Sequence, residues 1–309
     1  MKNLRIMYMG TPELSSEILE GLIQNGINIV ALVAQQDKPV GRKGIIMPVP
    51  TKVVASKYDI PVYQVEKIRL NYDFVKEINP DLIITCAYGQ IVPQGLLDIP
   101  KYGCINVHGS LLPKYRGASP IQSALINGDK ETGITIMEMI DKMDAGGMLL
   151  KKSFILEEDD NYTSVCKKMA KAGLEGLLEC LPIIASNQAI YVPQDEEQVT
   201  YCKKILKEDE HLDINASAND IVNKIRGLSE IPGAYLLMDD QVFKIYKANR
   251  INDHLGNVGE IVSADKRGLI LQLKDGQISL LEIQKQGKKK MDYKSFINGE
   301  KNLVGKILK

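Results

Sequence analysis

The residues best suited to chemistry lie in Gly103–Gly117, which reads GCINVHGSLLPKYRG. An apolar run there ends in Asn106, Val107 and His108, and Gly109 breaks it. Alternation along a strand puts Asn106 and His108 on the same side. Ligands of open parallel sheets bind at the carboxyl ends of the strands. Two polar residues at a strand end, followed by a loop with Pro113 and Gly117, therefore mark a candidate site. A third candidate is Asp144, in the stretch MIDKMDAGG from Met139 to Gly147, with Asp141 as its competitor. It follows the apolar run Gly133–Met139, so it too is expected at a carboxyl end. The Ala145-Gly146-Gly147 turn behind it lets the backbone approach closely. Each residue also has an ordinary reading: a histidine satisfied within the sheet, a turn asparagine, two loop aspartates. The strand end, the shared face and the long loop stand against that reading, and Asn is disfavoured inside strands.

This set suits acyl transfer to an amine. The amine must lose protons, and an oxyanion must be held. The Asn106 amide can donate to the oxyanion, and His108 can supply a hydrogen bond or a proton. Asp144 can keep His108 charged or relay the amine proton through water. No serine or cysteine nucleophile is needed, which fits direct transfer from a carrier. Other chemistries lack their residues. Gly10-Thr11-Pro12 stands where a dinucleotide fold would carry Gly-x-Gly-x-x-Gly. There is no Walker lysine loop, and histidines at 108, 211 and 254 have no zinc spacing, so no metal is expected.

The elements that must position these residues follow from periodicity. Leu4–Met9 is an apolar run ended by Gly10. Thr11 is expected to cap a helix with Pro12 in its first position and Leu14, Ile18, Leu22 and Ile23 as its apolar stripe. Strands are expected over Ile27–Val33, Asp81–Cys86, Cys104–His108 and Gly133–Met139. Helices are expected over Val53–Tyr58, near Tyr72–Ile78, over Pro120–Ile126 and over Asn161–Ala185. Alternating strands and helices predict an α/β, Rossmann-like domain with a mostly parallel sheet covered on both faces. Tyr191–Thr200 has a linker composition, with Pro193 and the acidic run Asp195–Glu197. Beyond it, Ser217 and Asp220 open one helix in capping-box fashion. Short strand-like runs follow at Ala234–Met238, Val242–Tyr246, Gly259–Val262, Leu269–Leu273 and Ile278–Ile283. They predict a small antiparallel β-barrel, OB-like. The expected division is residues 1–188 catalytic, 189–206 linker and 207–309 C-terminal barrel.

Composition sets the outer bounds. The 309 residues carry 39 basic and 39 acidic side chains, so any nucleic-acid contact must come from local patches. Lys38, Arg42 and Lys43 form one such patch around Gly41, and Lys288, Lys289 and Lys290 another; the ordinary reading of both is solvated basic loops. Five cysteines without Cys-x-x-Cys spacing fit reduced thiols. The start is too short in apolar residues for a signal, and no stretch approaches the ~18 apolar residues of a membrane span. The expected compartment is the cytoplasm, with no membrane association and no obligate protein partner.

His108-Gly109-Ser110-Leu111-Leu112-Pro113-Lys114-Tyr115-Arg116-Gly117 resembles the folate-binding signature of the 10-formyltetrahydrofolate-dependent formyltransferases. The resemblance runs nearly end to end. It includes Met9-Gly10-Thr11-Pro12, Gln36–Arg42, Ala87-Tyr88-Gly89-Gln90, Glu197–Tyr201 and Lys224–Leu228. It implies that Asn106, His108 and Asp144 are the catalytic trio. Ser110, Leu111, Leu112 and Pro113 would lie along the folate. Ala87, Tyr88, Gly89, Gln90 and Ile91 would line its pterin pocket, largely through backbone groups. The Asp37–Arg42 loop and the C-terminal domain are similar to the branch that formylates methionine on initiator tRNA by direct amine attack. That similarity implies tRNA contacts at Lys38, Arg42, Lys43 and Lys288–Lys290. Two features depart from the pattern. Lys43-Gly44-Ile45-Ile46 is more apolar than the corresponding family loop, and Ile231 stands where the family often has Trp. The rival readings are a formyltransferase for a small amine, such as an amino sugar nucleotide, and an RNA-binding protein on a retired enzyme fold.

Overall fold

The computed structural model describes residues 4–40 and 44–309. In chain order the first elements are β1 (Ile6–Gly10), α1 (Glu13–Gln24), β2 (Ile29–Ala34), β3 (Lys38–Val40), β4 (Ile45–Met47), α2 (Pro50–Lys57) and β5 (Val62–Gln64). They are followed by α3 (Phe74–Ile78), β6 (Leu82–Cys86), α4 (Gln94–Leu97), β7 (Cys104–His108), β8 (Arg116–Gly117), α5 (Pro120–Ile126), β9 (Glu131–Glu138), β10 (Met148–Ile155) and α6 (Tyr162–Ala185). The remainder comprises β11 (Tyr201–Cys202), α7 (Ala218–Leu228), β12 (Ala234–Met238), β13 (Gln241–Ile251), β14 (Ile261–Asp265), β15 (Gly268–Leu273), β16 (Gly276–Lys285), β17 (Met291–Asp292) and α8 (Tyr293–Gly299). Two compact units result. One holds Met1–Gly117, Glu131–Phe154 and Cys166–Tyr201; the other holds Ala118–Lys130, Ile155–Val165 and Cys202–Lys309.

The first unit is built on a seven-stranded sheet of order β10-β9-β7-β6-β1-β2-β5. From β7 to β5 the strands run parallel. Every residue of β1 and β6 is buried, as a sheet covered on both faces requires. One face carries Met7, Met9, Ala31, Val33, Ile83 and Cys104, packed with Val75 of α3 and Leu96 and Leu97 of α4. The opposite face takes α6. An added Cβ at Gly173 would lie 2.9 Å from Ile18 of α1 and 3.1 Å from Val107 of β7, so a bare backbone permits this approach. Alternation then fixes the site: Asn106 and His108 share the face of Cys104, away from α6.

Two local expectations change. Pro12, not Thr11, occupies the N-cap of α1. The Thr11 hydroxyl instead donates to the Tyr88 carbonyl (3.3 Å) and accepts from the Gln35 amide (3.2 Å), tying three loops at the strand ends. The strand before Asp144, β9, is antiparallel to β7, with Ile105 opposite Glu138 and His108 opposite Thr135. The loop after β9 therefore starts at the amino end of β7, not at the carboxyl end expected from a parallel reading. Met139 N still bonds Cys104 O (2.8 Å) there, and the chain must double back across the sheet face to bring Asp144 to His108.

The second unit is an antiparallel sheet, β12-β13-β16-β15-β14, with β17 on β16. The Ser217 hydroxyl accepts from Asp220 N and caps α7 as expected. Ile221, Ile225 and Leu228 of α7 bury against Phe243, Ile245, Leu280 and Ile283. The chain end hydrogen-bonds both sheet edges. Leu237 of β12 exchanges bonds of 2.7 and 3.0 Å with Lys309, while Ile261 of β14 donates to Lys306 O (2.8 Å). Both edges are thereby covered, which removes a template for aggregation. Among the described residues, no helix is long and apolar enough to cross a membrane.

Gly133 on β9 has no room for a side chain. A Cβ there would stand 2.0 Å from Lys152 O and 2.8 Å from Leu111 Cδ2. Gly133→Ala is expected to cost about 1–3 kcal/mol through overpacking, measured as a lower urea midpoint for the first unit.

Candidate active site

β7 delivers Asn106 and His108 to one patch of the sheet face, and hydrogen bonds orient both. The Thr85 hydroxyl, on β6, donates to Asn106 Oδ1 at 2.8 Å. That leaves the Asn106 amide Nδ2 to face outward, and no described residue accepts from it. His108 is 5% exposed. Its Nε2 lies 2.9 Å from the Tyr115 carbonyl. A carbonyl only accepts, so Nε2 carries the hydrogen. Nδ1 faces Asp144 Oδ1 at 3.6 Å, longer than a hydrogen bond.

Asp144 is the aspartate beside His108; Asp141 is exposed. Its backbone is left-handed, with φ +52°, a conformation Asp tolerates better than most residues. Gly117 N donates to its Oδ2 at 2.8 Å. Gln194 Nε2 donates to its carbonyl and to that of Gly146, both at 2.8 Å. Gly146 meets the expected need for close approach, since a Cβ there would lie 2.1 Å from Glu138 O.

The loop after His108 is fixed from β9. Thr135 donates to Ser110 O (2.7 Å) and accepts from Leu112 N (3.0 Å). The Leu112-Pro113 peptide is cis. Ser110, Leu112 and Pro113 are buried, with the Ser110 hydroxyl donating to Lys114 O, while Leu111 is half-buried. At the end of the loop Arg116 is wholly buried, donating from Nε to Gln194 Oε1 (2.9 Å) and from Nη2 to Glu196 Oε1 (2.8 Å). Burial opposes the guanidinium charge, but Glu196 and Tyr201 more than offset it, and Arg116 in turn holds the Glu196 carboxyl below its ordinary range. Arg116 lies within the quoted signature but is given no role there, and Thr85, Thr135, Gln194 and Glu196 carry no motif that the sequence singles out as part of the site. Thr135 looks like any β-branched strand residue, and Gln194 sits in a stretch of linker composition.

The formyl transferase family model matches residues 2–181, and its C-terminal domain model matches residues 204–301. The chain belongs to the formyl transferase family. The methionyl-tRNA formyltransferase of Staphylococcus epidermidis (strain ATCC 35984) is 44% identical over 308 residues, covering 98% of this chain and 99% of that protein. The enzyme of the same name from Staphylococcus aureus (strain MW2) is 42% identical over 309 residues, with the same coverage. A fold relative is HypX from Aquifex aeolicus, solved in complex with tetrahydrofolic acid, at 16% identity and TM-score 0.68. It covers 96% of this chain, which spans about half (47%) of HypX.

The stretch Ala87–Ile91 follows β6 directly. Ala87, Gly89 and Ile91 are exposed between the buried Tyr88 and Val92, and Ala87 and Gly89 have φ of +48° and +84°. The buried Tyr88 hydroxyl has no hydrogen-bond partner among the described residues, and burial pushes its pKa up to about 12. Gln90 braces the strip, accepting from Ile68 N (2.8 Å) and donating to Val65 O (3.2 Å). A cavity of about 310 Å³ opens beside it, lined by Gln35, Glu66, Lys67, Arg69, Gln90 and Ile91. All five cysteines are free. Cys104 lies two residues before Asn106, and burial pushes its thiol well above the thiolate range, so it offers no competing nucleophile.

The basic residues separate into distinct environments. Arg42 and Lys43 lie outside the described residues. Lys38 is exposed on the β3–β4 hairpin, whose base is tied down by Asp37: it accepts from Lys52 (2.5 Å), Gln64 (2.7 Å) and Val49 N (3.3 Å). In the C-terminal loop Lys288 and Lys289 are exposed, whereas Lys290 pairs with Glu230 (2.6 Å) and Glu282 (3.1 Å).

Thr135→Val tests the support beneath the signature loop. It keeps the volume and leaves Ser110 O and Leu112 N unpaired, each at a cost of about 1–3 kcal/mol. The expected result is a melting temperature lower by roughly 4 °C or more, read by calorimetry.

Proposed function

We propose that this chain transfers a formyl group from 10-formyltetrahydrofolate to the α-amine of methionine on initiator tRNA, in translation initiation in the cytoplasm. The observation that carries this reading is the convergence of Asn106, His108 and Asp144 in a chain alike from end to end to methionyl-tRNA formyltransferases. The strip Ala87–Ile91, with Ala87, Gly89 and Ile91 exposed, lines the pterin of the folate. Ser110, Leu111, Leu112 and Pro113 shape the neighbouring wall, three of them from within. When bound, the folate supplies the formyl carbon that the amine takes up.

The chain's own residues do the rest. Asn106 Nδ2, oriented by Thr85, is the donor offered to negative charge developing on the formyl oxygen. His108 is held by the Tyr115 carbonyl on one side and by the Asp144 carboxylate on the other. It reaches the reacting group by exchanging one of these partners. The Asp144 carboxylate faces His108 Nδ1 and gives the amine proton a destination through water. Residues 1–188 form the catalytic domain and 189–206 the connection. The antiparallel sheet within 207–309 carries the tRNA, with Lys288, Lys289 and Lys290 near its phosphates. Lys38, together with Arg42 and Lys43 that follow it in the sequence, meets the acceptor end.

His108→Ala is expected to lower formylation of methionyl initiator tRNA by about 10²–10³-fold with folate binding kept. A folded wild type that binds the folate and makes no formyl-methionyl-tRNA rejects the activity, and small amine acceptors would be tried next. Arg42→Ala is expected to lower kcat/KM for tRNA while folate affinity holds. Unchanged tRNA turnover would remove the hairpin from the interface.

A further inference from the structure

Residues 182–203 lie between the two family-model matches, and the stretch 191–200 has the composition of a linker. Its bonds are those of a clamp. Val192 and Met148 exchange backbone hydrogen bonds of 2.8 and 2.9 Å. Thr200 accepts Tyr115 N at its hydroxyl and Arg116 N at its carbonyl, both at 2.9 Å. Between these anchors Gln194 is 8% exposed and uses its whole amide. Oε1 accepts from Arg116, and Nε2 donates to the carbonyls of Asp144 and Gly146. The two acceptors that face the His108 ring, the Tyr115 carbonyl and the Asp144 carboxylate, thus sit on loops fixed by one short segment. Asp144 itself has a left-handed backbone, with φ +52°, and its carbonyl is one of the two that Gln194 holds.

We infer that Gln194 is the positioning residue that holds Asp144 at His108, and that the stretch 194–200 is part of the catalytic apparatus. Glu196 acts one step further out, by holding Arg116 in the orientation that Gln194 accepts from. The inference rests on the formyl-transfer reading above.

Gln194→Glu makes the sharpest test. It keeps the shape and the acceptor for Arg116 but removes the donor to the two carbonyls. In the full chain with 10-formyltetrahydrofolate and methionyl initiator tRNA, kcat is expected to fall roughly ten- to hundredfold, the scale of a small misplacement. KM for both substrates should stay as in wild type. The decisive measurement is a cycle with Asp144→Asn, followed by single turnover with enzyme in excess. If Gln194 acts through Asp144, the double variant is no slower than Asp144→Asn alone. Multiplying losses, or a raised KM with kcat intact, would overturn the assignment. Should Gln194→Glu fail to fold, Glu196→Ala, at a position 60% exposed, takes its place in the same cycle. It is expected to lower kcat by a smaller factor that again vanishes with Asp144→Asn; an unchanged kcat or a multiplying loss counts against the proposal. A wild type without formylation rejects the activity and this inference together, whereas an active wild type with multiplying losses rejects this inference alone.

Discussion

A guanidinium shut away from water must find its partners inside the protein, and Arg116 imposes that demand at the end of the signature loop. The chain answers from a distance: Gln194 and Glu196 arrive 78 and 80 residues later to receive it. Once they are in place, the rest of the site has little freedom. The Arg116 and Tyr115 amides close onto Thr200, so the Tyr115 carbonyl is pinned against His108. The same Gln194 amide reaches across to the Asp144 loop. A lysine here would keep the charge and lose the planar fork that meets a carboxylate and an amide at once.

The sheet divides the labour between its faces. α6 presses on one side through glycines, and nothing on that side takes part in the site. The other side is lined by short helices and by Tyr88, Leu97 and Cys104, and it leaves room for a loop to cross. β9 makes the crossing necessary. Because it runs antiparallel to β7, its outgoing chain begins at the wrong end of the sheet, and the return of Met139–Gly147 brings Asp144 over the face that carries Asn106. The stretch Ala87–Ile91 flanks the same strand ends, tied to the end of β1 through Thr11.

Much of this was legible from residue patterns because the patterns are local. Cys104–His108, Pro120–Ile126 and Ala234–Met238 form the elements expected over those same residues, since buried strands and a proline-led helix advertise themselves. The seven-stranded sheet and the antiparallel C-terminal sheet follow from the same signals. What escaped is long-range. Nothing in the neighbourhood of Gly133–Met139 states whether the strand pairs parallel or antiparallel, so Asp144 was expected beside His108 by the wrong route. Thr11 has the chemistry of a cap but is used to tie loops together, bonding Tyr88 and Gln35. Thr135 and Gln194 matter through partners 25 and 50 residues away, and composition carries no trace of such distances. Edge strand β10, half-exposed and of mixed pattern, went unread for lack of a clean period.

The remoteness of Gln194 also bears on time. A ribosome adds roughly 5–20 residues per second, so the partner of Arg116 emerges roughly 4–16 s after Arg116 itself. For that interval a nascent chain can hold most of its sheet while the guanidinium remains hydrated and the Asp144 loop unfastened. Fastening of that loop is therefore a late event in the life of each molecule. It is reached only when synthesis has passed the stretch that leads directly into the second unit.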